Sequence, residues 1–169
     1  ISFDYGPCPI TSFFTKSIFM ENNETLTYLM IIDAQDVQDF NLRYFKEHPK
    51  AKNAPIKAPQ HPSINTYMTM HNQAMNKLKQ NWKDFIVWII TDLGMANKNI
   101  KKCRLTYRTY FKQNRRHDLD NISPKFILDG FVAAGLIEDD DSEHIISLTT
   151  ECAVDVENPR MEFVIEVIE

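Results

Sequence analysis

The residues of this chain whose types and spacing best suit chemistry are two aspartates, Asp118 and Asp120. Side chains two residues apart on an extended chain leave the same face, so both carboxylates are expected to point together while Leu119 points away. Carboxylates held side by side repel each other unless a cation lies between them. Because Mg²⁺ prefers oxygen ligands and usually takes only a few carboxylates from a protein, the pair predicts a site for this ion.

A second acidic cluster, residues 139–141, follows one apolar helix later. Ser123 and Pro124 indicate where that helix begins, and Gly135 indicates where it ends. The helix is therefore expected to set the distance between the two acidic groups. Hydrolysis of a phosphodiester needs an activated water and neutralisation of the charge on the leaving oxygen, and a carboxylate-bound metal ion supplies both.

The charges of the chain are segregated along the sequence. Residues 96–117 contain eight Lys or Arg and no acid, whereas residues 136–169 contain eleven acids and Arg160 as the single base. This pattern favours a basic face for a polyanion beside an acidic pocket that a cation neutralises. The alternative is that the two segments form neighbouring strands that pair their charges.

Composition indicates one soluble globular domain, since the chain has 169 residues, 43% hydrophobic content and a net charge of −4. Cys8, Cys103 and Cys152 lack paired spacing, which argues against a disulfide framework or a zinc site and favours the cytoplasm. Apolar runs are too short to span a membrane, and the start does not resemble a signal peptide. Residues 1–24 are interpreted as an extension of unknown role, with Met20 as a plausible natural start.

Apolar periodicity predicts an α+β fold, a small mixed β-sheet with two main helices. Strands are expected at residues 25–34, 100–112, 145–154 and 161–168. The last two are expected to pair as a hairpin around Asn158 and Pro159.

Helical spacing predicts a helix at residues 36–47 with Asp36 as its N-cap, and a longer helix at about 69–93 that Gly94 ends. The prolines of residues 49–62 predict a loop between them. Residues 85–90 are apolar on every side, so they pack either in a thick core or in a dimer interface.

Together these stretches resemble the RusA family of Holliday junction resolvases. The specific part is the D-L-D-N of residues 118–121, a lysine, a helix carrying Asp129, and the ending A-A-G-L-I-E-D-D. The flanks P-S-I-N-T-Y and R-M-E-F-V-I-E also agree. The resemblance covers residues 25–169 apart from an insertion at about 34–60.

The resemblance implies a Mg²⁺-dependent endonuclease, with Mn²⁺ as a substitute, that acts as a homodimer and resolves four-way DNA junctions by paired nicks, associated with the nucleoid through DNA. It implies Asp118, Asp120 and Asp140 as metal ligands, with Asp139 or Asp141 as the alternative third ligand, and Lys125 as an essential lysine. Compared with the family pattern, one extra residue separates Asn121 from the lysine, and the acidic run is three residues long. Alternatives are a nuclease for other branched or single-stranded DNA, and a nucleic-acid-binding protein with a structural metal.

Basic side chains on and after the second predicted strand are expected to bind phosphates without reading sequence. The predicted DNA contacts are Arg104, Arg108, Lys112, Arg115, Arg116 and Asn65. Tyr67, Tyr107 and Tyr110 either stack on opened bases or pack in the protein. Each site residue also has an ordinary alternative: Asp120 or Asn121 as a helix cap, Lys125 facing solvent, Asp129 in a structural contact, and His117 as a phosphate contact.

Overall fold

The computed structural model describes residues 17–22 and 25–169, and within them one five-stranded sheet organises the chain. Interpretations of residues 1–16, including Cys8, lie outside this part of the chain. The strands are β1 (Ser17–Asn22), β2 (Thr25–Ile32), β3 (Cys103–Phe111), β4 (Ile145–Val154) and β5 (Arg160–Val167). Their order in the sheet is β1-β2-β5-β3-β4. The β3–β4 pair is parallel and the other pairs are antiparallel, so the predicted mixed sheet is confirmed.

Helices lie between the strands in sequence, which makes the fold α+β as predicted. They are α1 (Ala34–Glu47), α2 (Ile64–Met68), α3 (Asn72–Asp92) and α4 (Lys125–Ala133). A short 3-10 turn, Leu119–Asn121, precedes α4. None of the helices in the described ranges is both long and apolar enough to cross a membrane.

One face of the sheet forms the core because side chains alternate along each strand. Leu105 and Tyr107 of β3 are buried, as are Phe163 and Ile165 of β5 and Met30 of β2. The register aligns them across the strands, so they present one continuous apolar surface. Ring contacts carry this surface to the helices, since Phe131 of α4 lies edge-on to Phe163 with ring centroids 5.3 Å apart.

The apolar half of α3 is explained by α1, which covers the side that the sheet does not. Phe40 of α1 lies 5.1 Å from Phe85 and 5.6 Å from Trp88 between ring centroids. The thick-core interpretation of residues 85–90 therefore accounts for their composition. The insertion at residues 34–60 is part of this core, since Ile56 is 1% exposed.

The predicted N-cap of α1, Asp36, is wrong by three residues. Asp33 is the N-cap and accepts hydrogen bonds from the backbone N–H groups of Gln35 and Asp36, while the Asp36 carboxylate accepts one from the Asp33 N–H. This is a capping box, and Asp36 holds its third helical position.

The predicted β4–β5 hairpin is also wrong. β4 pairs in parallel with β3, and β5 lies on the other side of β3. A parallel pair needs a crossover connection, and α4 provides it. The alternating pattern identified both strands but not their partners, and the more apolar β5 occupies the central position.

The C-terminal end of α4 agrees with the prediction, but its N-cap does not. Pro124, not Ser123, is the N-cap residue, and no side chain of its own caps the helix. At the other end Gly135 adopts a φ of +66° as predicted. The N–H groups of Gly135 and Leu136 donate to the carbonyls of Val132 and Phe131, which completes a Schellman motif.

β1 was not predicted, because its segment was interpreted as part of an extension. Ser17–Asn22 pairs antiparallel with β2 over its whole length, and Met20 lies within it.

Candidate functional site

A cavity of about 430 Å³ opens beside the Phe111 end of β3, and it contains three of the predicted site residues. Its walls come from the loop before α2, the second half of β3, and the segment that joins β3 to α4. The lining residues are His61, Ser63, Thr66, Tyr107, Thr109, Phe111, Arg115, Arg116, His117, Asp118, Asn121 and Ile122. Two guanidinium groups, one carboxylate and several hydroxyls facing one cavity suit an anionic oxygen ligand such as a phosphodiester.

Asp118 is the acidic member of this lining and sits at the start of the 3-10 turn. Its Oδ1 lies 3.7 Å from Nε of Arg116, and both side chains are largely exposed. Asp120 is exposed on the same turn and does not line the cavity. Lys125 is exposed at the first position of α4. The structure thus places Asp118, Asp120 and Lys125 on one short segment, with Asp118 nearest the cavity.

The turn is tied to α2 by an amide rather than by a carboxylate. Oδ1 of Asn121 accepts a hydrogen bond of 2.9 Å from the backbone N–H of Asn65. The side chain of Asn65 is therefore not needed to hold this contact, and its predicted role toward DNA stays a prediction. This bond fixes the turn against the P-S-I-N-T-Y segment on the opposite wall of the cavity.

Two polar atoms of the cavity lining are buried without a hydrogen-bond partner among the described residues. They are Nε2 of His117, whose ring stacks on Phe111 at 3.6 Å, and Oγ1 of Thr109. The Tyr107 hydroxyl is near enough to Thr109 to interact with it, but it donates to Sδ of Met161 at 3.4 Å. Unpaired buried polar atoms cost free energy, so their presence in a cavity wall favours a ligand that pairs with them.

His61 closes the inner wall of the cavity and caps α4 in place of Ser123. Its Nε2 accepts a 3.2 Å hydrogen bond from the N–H of Phe126, while Nδ1 donates to the carbonyl of Pro62 at 2.7 Å. Both nitrogens are therefore used by the neutral ring. Burial is the main cause that lowers the pKa of His61 to about 4. The rings of Tyr67, Trp82 and Phe126 surround it.

The second acidic cluster lies at the other end of β3. The backbone N–H of Glu138 donates to the carbonyl of Ile100, and the N–H of Cys103 donates to the carbonyl of His144. Residues 139–141 are thus beside the Cys103 end, whereas Asp118 is beside the Phe111 end. A strand of this length spans roughly 26 Å, so the chain holds the two acidic groups far apart.

Within the acidic cluster, Asp140 has the free carboxylate. Oδ1 of Asp141 accepts hydrogen bonds from the N–H groups of Glu143 and His144 and contacts Nδ1 of His144 at 2.6 Å. This contact is the main cause that lowers the pKa of Asp141 and raises that of His144. Oδ1 of Asp139 accepts from the N–H of Asp140. No described group pairs with the Asp140 carboxylate.

A magnesium site made of Asp118, Asp120 and Asp140 does not fit the arrangement of a single chain. Mg²⁺ holds its oxygen ligands at about 2.1 Å, which requires the carboxylates to converge. In the described ranges no three acidic, histidine or cysteine side chains are grouped closely enough to hold a metal ion. The role of these aspartates as ligands stays a prediction.

The predicted DNA-binding arginines are divided between the two faces of the sheet. Arg104 and Arg108 alternate with buried residues of β3 and so point away from the cavity. Nε of Arg108 contacts Glu151 of β4 at 2.5 Å, and Nη1 lies 4.0 Å from Glu162 of β5. The Glu151 contact is the main cause that raises the pKa of Arg108. For Arg108 the alternative of charge pairing between neighbouring strands is what the structure shows.

Lys112, Arg115 and Arg116 follow the end of β3 and are exposed. Arg115 and Arg116 contribute to the lining of the cavity, whereas Lys112 does not. The structure therefore places two of the predicted basic residues at the cavity and leaves Arg104 and Arg108 on the opposite face.

The three tyrosines pack within the protein, which is the alternative to stacking on opened bases. Tyr67 and Tyr107 are 6% and 1% exposed, and their rings contact Phe126 and Phe163. The ring of Tyr110 is covered by the Arg160 guanidinium at 3.8 Å.

Asp129 has the structural contact that was one of its alternatives, but with a partner on another helix. Its Oδ2 lies 3.1 Å from Nζ of Lys79 in α3.

Sequence reasoning missed His61 and Thr109. His61 stands next to Pro62 in a loop without periodicity, so no pattern indicated that it would be buried. Thr109 alternates with the basic residues of β3 and so lies on its buried face, but its unpaired hydroxyl depends on the tertiary surroundings, which the sequence pattern does not specify.

Comparison of the sequence with models of protein families finds no match, and comparison with curated proteins also finds none.

Proposed function

We propose that this chain is a structure-selective DNA endonuclease, with four-way junctions as its preferred substrate, and that the cavity beside Asp118 receives the phosphodiester to be cut. The observation that carries the proposal is the composition of that cavity: Asp118 lies among Arg115, Arg116 and the unpaired Nε2 of His117. The resemblance of the D-L-D-N turn and its flanks to RusA resolvases points to the same substrate.

The side chains of the cavity suit the binding of a phosphate group. Arg115 and Arg116 can donate several hydrogen bonds to its non-bridging oxygens, and the arginine fork matches that geometry. Their positive charge favours the transition state, in which negative charge accumulates on the phosphate oxygens. The hydroxyls of Ser63 and Thr66 on the opposite wall can orient the same group.

Asp118 and His117 are the cavity groups that can handle protons. A carboxylate accepts a proton from an attacking water, and a neutral imidazole can accept or donate one at its unpaired nitrogen. Both side chains line the same cavity, in which we place the scissile phosphate.

A second function, nucleic-acid binding without cleavage, is favoured by one specific observation. The acidic cluster at residues 139–141 does not reach the cavity within one chain, so a single chain lacks the full set of carboxylates that the resemblance implies.

A substrate panel separates the two functions. Labelled four-way junction, flap and plain duplex of matched length are incubated with the wild-type chain in Mg²⁺, in Mn²⁺ and in a chelator. The proposal expects cleavage of the junction with divalent ion, less of the flap and least of the duplex. Binding to all three without cleavage of any would leave the second function and reject the first.

A further inference from the structure

We propose, on the basis of the proposed function, that the inner part of the cavity beside Asp118 receives a nucleobase that has left the DNA stack, while the attached phosphate stays at the mouth. The mouth is formed by Arg115, Arg116 and Asp118, and the floor is formed by Tyr107 and Thr109. A base bound on the floor would determine which nucleotide lies next to the cut.

The cavity lining separates charged from uncharged groups by depth. The three residues of the mouth are exposed, whereas Tyr107 and Thr109 are each 1% exposed. His61 is also a buried residue of the lining, and burial lowers its pKa to about 4, so its ring is neutral. Transfer of a charged phosphate to this depth would cost free energy, because the described buried residues of the lining carry no opposite charge. A neutral ring with polar edges avoids that cost.

The inner face of β3 gives the cavity the depth of a nucleotide. Phe111, Thr109 and Tyr107 alternate on that face and so follow one another at intervals of roughly 7 Å. The ring of Phe111 stacks on that of His117, with 3.6 Å between the centroids, and His117 is next to Asp118 in the chain. Thr109 therefore lies one interval below this stack, a separation comparable to the one that a deoxyribose leaves between its phosphate and its base. The cavity volume of about 430 Å³ accommodates a planar ring in addition to the phosphate.

The hydroxyl of Thr109 is available to such a ring. Its Oγ1 is buried and has no hydrogen-bond partner among the described residues. The neighbouring Tyr107 hydroxyl donates to Sδ of Met161 at 3.4 Å, and a thioether is a weak acceptor. Hydroxyls both donate and accept hydrogen bonds, which suits the polar edge of a base. Because an unpaired buried hydroxyl destabilises the folded chain, its position on a cavity floor favours a ligand that pairs with it.

A four-way junction supplies an unstacked base at low cost. Moving a base out of a duplex costs stacking and pairing, and the cost is lowest where pairing is already interrupted. The strands exchange partners at the centre of a junction, so pairing is weakest there. The apolar side chains of Phe111 and Ile122 in the lining offer surface to the faces of the ring. The floor thus favours DNA in which the base beside the scissile phosphate can leave its partner.

Titration with mononucleotides tests the floor without any cleavage. Isothermal calorimetry of the wild type, in a chelator and at low salt, compares the deoxynucleoside monophosphates of all four bases with deoxyribose 5-phosphate, which has the phosphate but no base. The tightest mononucleotide should bind about tenfold or more tightly than the sugar phosphate. Equal affinities would show that the cavity holds the phosphate alone and would overturn the proposal.

Thr109→Val removes the hydroxyl at nearly constant volume. The advantage of the mononucleotide over deoxyribose 5-phosphate should fall by about threefold or more, while the affinity for the sugar phosphate stays unchanged. Thr109→Ser keeps a hydroxyl and should keep the advantage. Thr106→Val is the matched control, because Thr106 lies on the opposite face of the same strand. An undiminished advantage in Thr109→Val, or an equal loss in Thr106→Val, would overturn the proposal.

Thermal unfolding separates this role of Thr109 from a structural one. Because the hydroxyl is unpaired, Thr109→Val should unfold at the same temperature as the wild type or at a higher one. A lower unfolding temperature would show that the hydroxyl already has a partner in the free chain, and the reason to assign it to a ligand would be lost.

Abasic nucleotides locate the bound base within DNA. Fluorescence anisotropy in a chelator compares an intact four-way junction with junctions that lack one base, at each position flanking the crossover in turn. Loss of the base at one such position should weaken wild-type binding by about fivefold or more, and Thr109→Val should add little to that loss. Equal affinity for every abasic junction and the intact one would overturn the assignment of the base to DNA. If the wild type cuts no DNA, the proposed function fails, whereas these binding measurements still decide whether the floor holds a base.

Discussion

At the scale of single residues, the Asp118 carboxylate forms only a weak ion pair, so it remains available to a ligand in the cavity. Its described charged neighbour is Arg116, at 3.7 Å, with side-chain exposures of 68% and 94%. Ion pairs as exposed as this one contribute from zero to about 1 kcal/mol, so a phosphate can displace the contact at little cost. Arg116 is thus free to leave Asp118 for a phosphate of the proposed substrate.

Replacement of Asp120 by asparagine is expected to separate cleavage from binding. Asp120→Asn removes a carboxylate beside the cavity while keeping the side-chain shape, so junction cleavage should fall by about 100-fold or more. Junction affinity should stay the same or rise, because a negative charge near the DNA phosphates is lost. Single-turnover rates and gel-shift titrations measure the two effects. Asp84→Asn, on the exposed face of α3, is the control; equal cleavage by Asp120→Asn and the wild type contradicts the assignment.

His61 predicts a pH dependence of stability. Its pKa is lowered from 6.5 to about 4 in the folded chain, so the unfolded chain binds more protons between these two values. The free energy of unfolding should therefore decrease as pH falls from 6.5 toward 4, with a total loss of about 3 kcal/mol. Urea unfolding at several pH values measures this slope.

A matched pair of variants isolates the contribution of His61. His61→Gln keeps an acceptor for the Phe126 N–H but does not titrate. The free energy of unfolding should therefore fall by about 3 kcal/mol less between pH 6.5 and 4 than it does in the wild type. His71→Gln alters an exposed histidine that caps α3, and the slope should persist. A slope unchanged by His61→Gln would mean that another group is responsible.

At the scale of elements, the crossing of α3 and α4 sets the position of the site segment. Gly130 of α4 packs closely against α3, because a Cβ built there would lie 2.6 Å from Cβ and Cγ2 of Ile86. The contact fixes how far α4 can slide along α3. The contact therefore also fixes the positions of Lys125 and of the 3-10 turn before α4.

Gly130→Ala is expected to destabilise the chain by about 1–3 kcal/mol through overpacking. The reason is that the Ile86 atoms in the way are at the start of a branched side chain and cannot rotate aside. Ile86→Ala should lose stability by itself through a cavity, yet the double variant should be more stable than the sum of the two losses. Thermal unfolding of the four proteins gives the coupling, and strict additivity would contradict the close contact.

Local sequence signals predicted where helices and strands occur better than they predicted which strands pair with each other. The left-handed Gly135 and the alternation of β3 are properties of a few adjacent residues, so the sequence indicated them correctly. The partner of β4 depends on which strand buries more apolar surface, and that competition is decided across the whole sheet. The same holds for the cap of α4, which His61 supplies from more than sixty residues earlier.

The part of the candidate site that the sequence predicted is the part whose residues are adjacent in the chain. Asp118, Arg115 and Arg116 are close in sequence and meet at one cavity. The acidic cluster is separated from them by α4, and the direction of that helix, which sequence spacing does not specify, takes it to the other end of β3.

At the scale of the whole molecule, the segregated charges form two different surfaces. On the open face of the sheet the basic and acidic strands neutralise each other, with Arg160 bonded to both Asp155 and Glu162. At the cavity the cations Arg115 and Arg116 remain exposed. A chain with a net charge of −4 can therefore present a local basic surface to a polyanion.

Salt dependence distinguishes these surfaces. Each phosphate contact contributes about one unit to the slope of log affinity against log salt, so Arg115→Ala and Arg116→Ala should each reduce the slope for junction binding by about that amount. Arg108→Ala should leave it nearly unchanged, because Glu151 already occupies this guanidinium. Fluorescence anisotropy across a salt series provides the slopes, and a larger effect of Arg108→Ala would place the DNA on the open face.

The measurement that tests the central claim most directly is the single-turnover cleavage rate of a four-way junction by the wild type and by Asp118→Asn, each saturated with the substrate. The account predicts divalent-ion-dependent cleavage by the wild type and a loss of about 100-fold or more in the variant, with junction affinity retained. Cleavage by Asp118→Asn at the wild-type rate would contradict the placement of the scissile phosphate in this cavity.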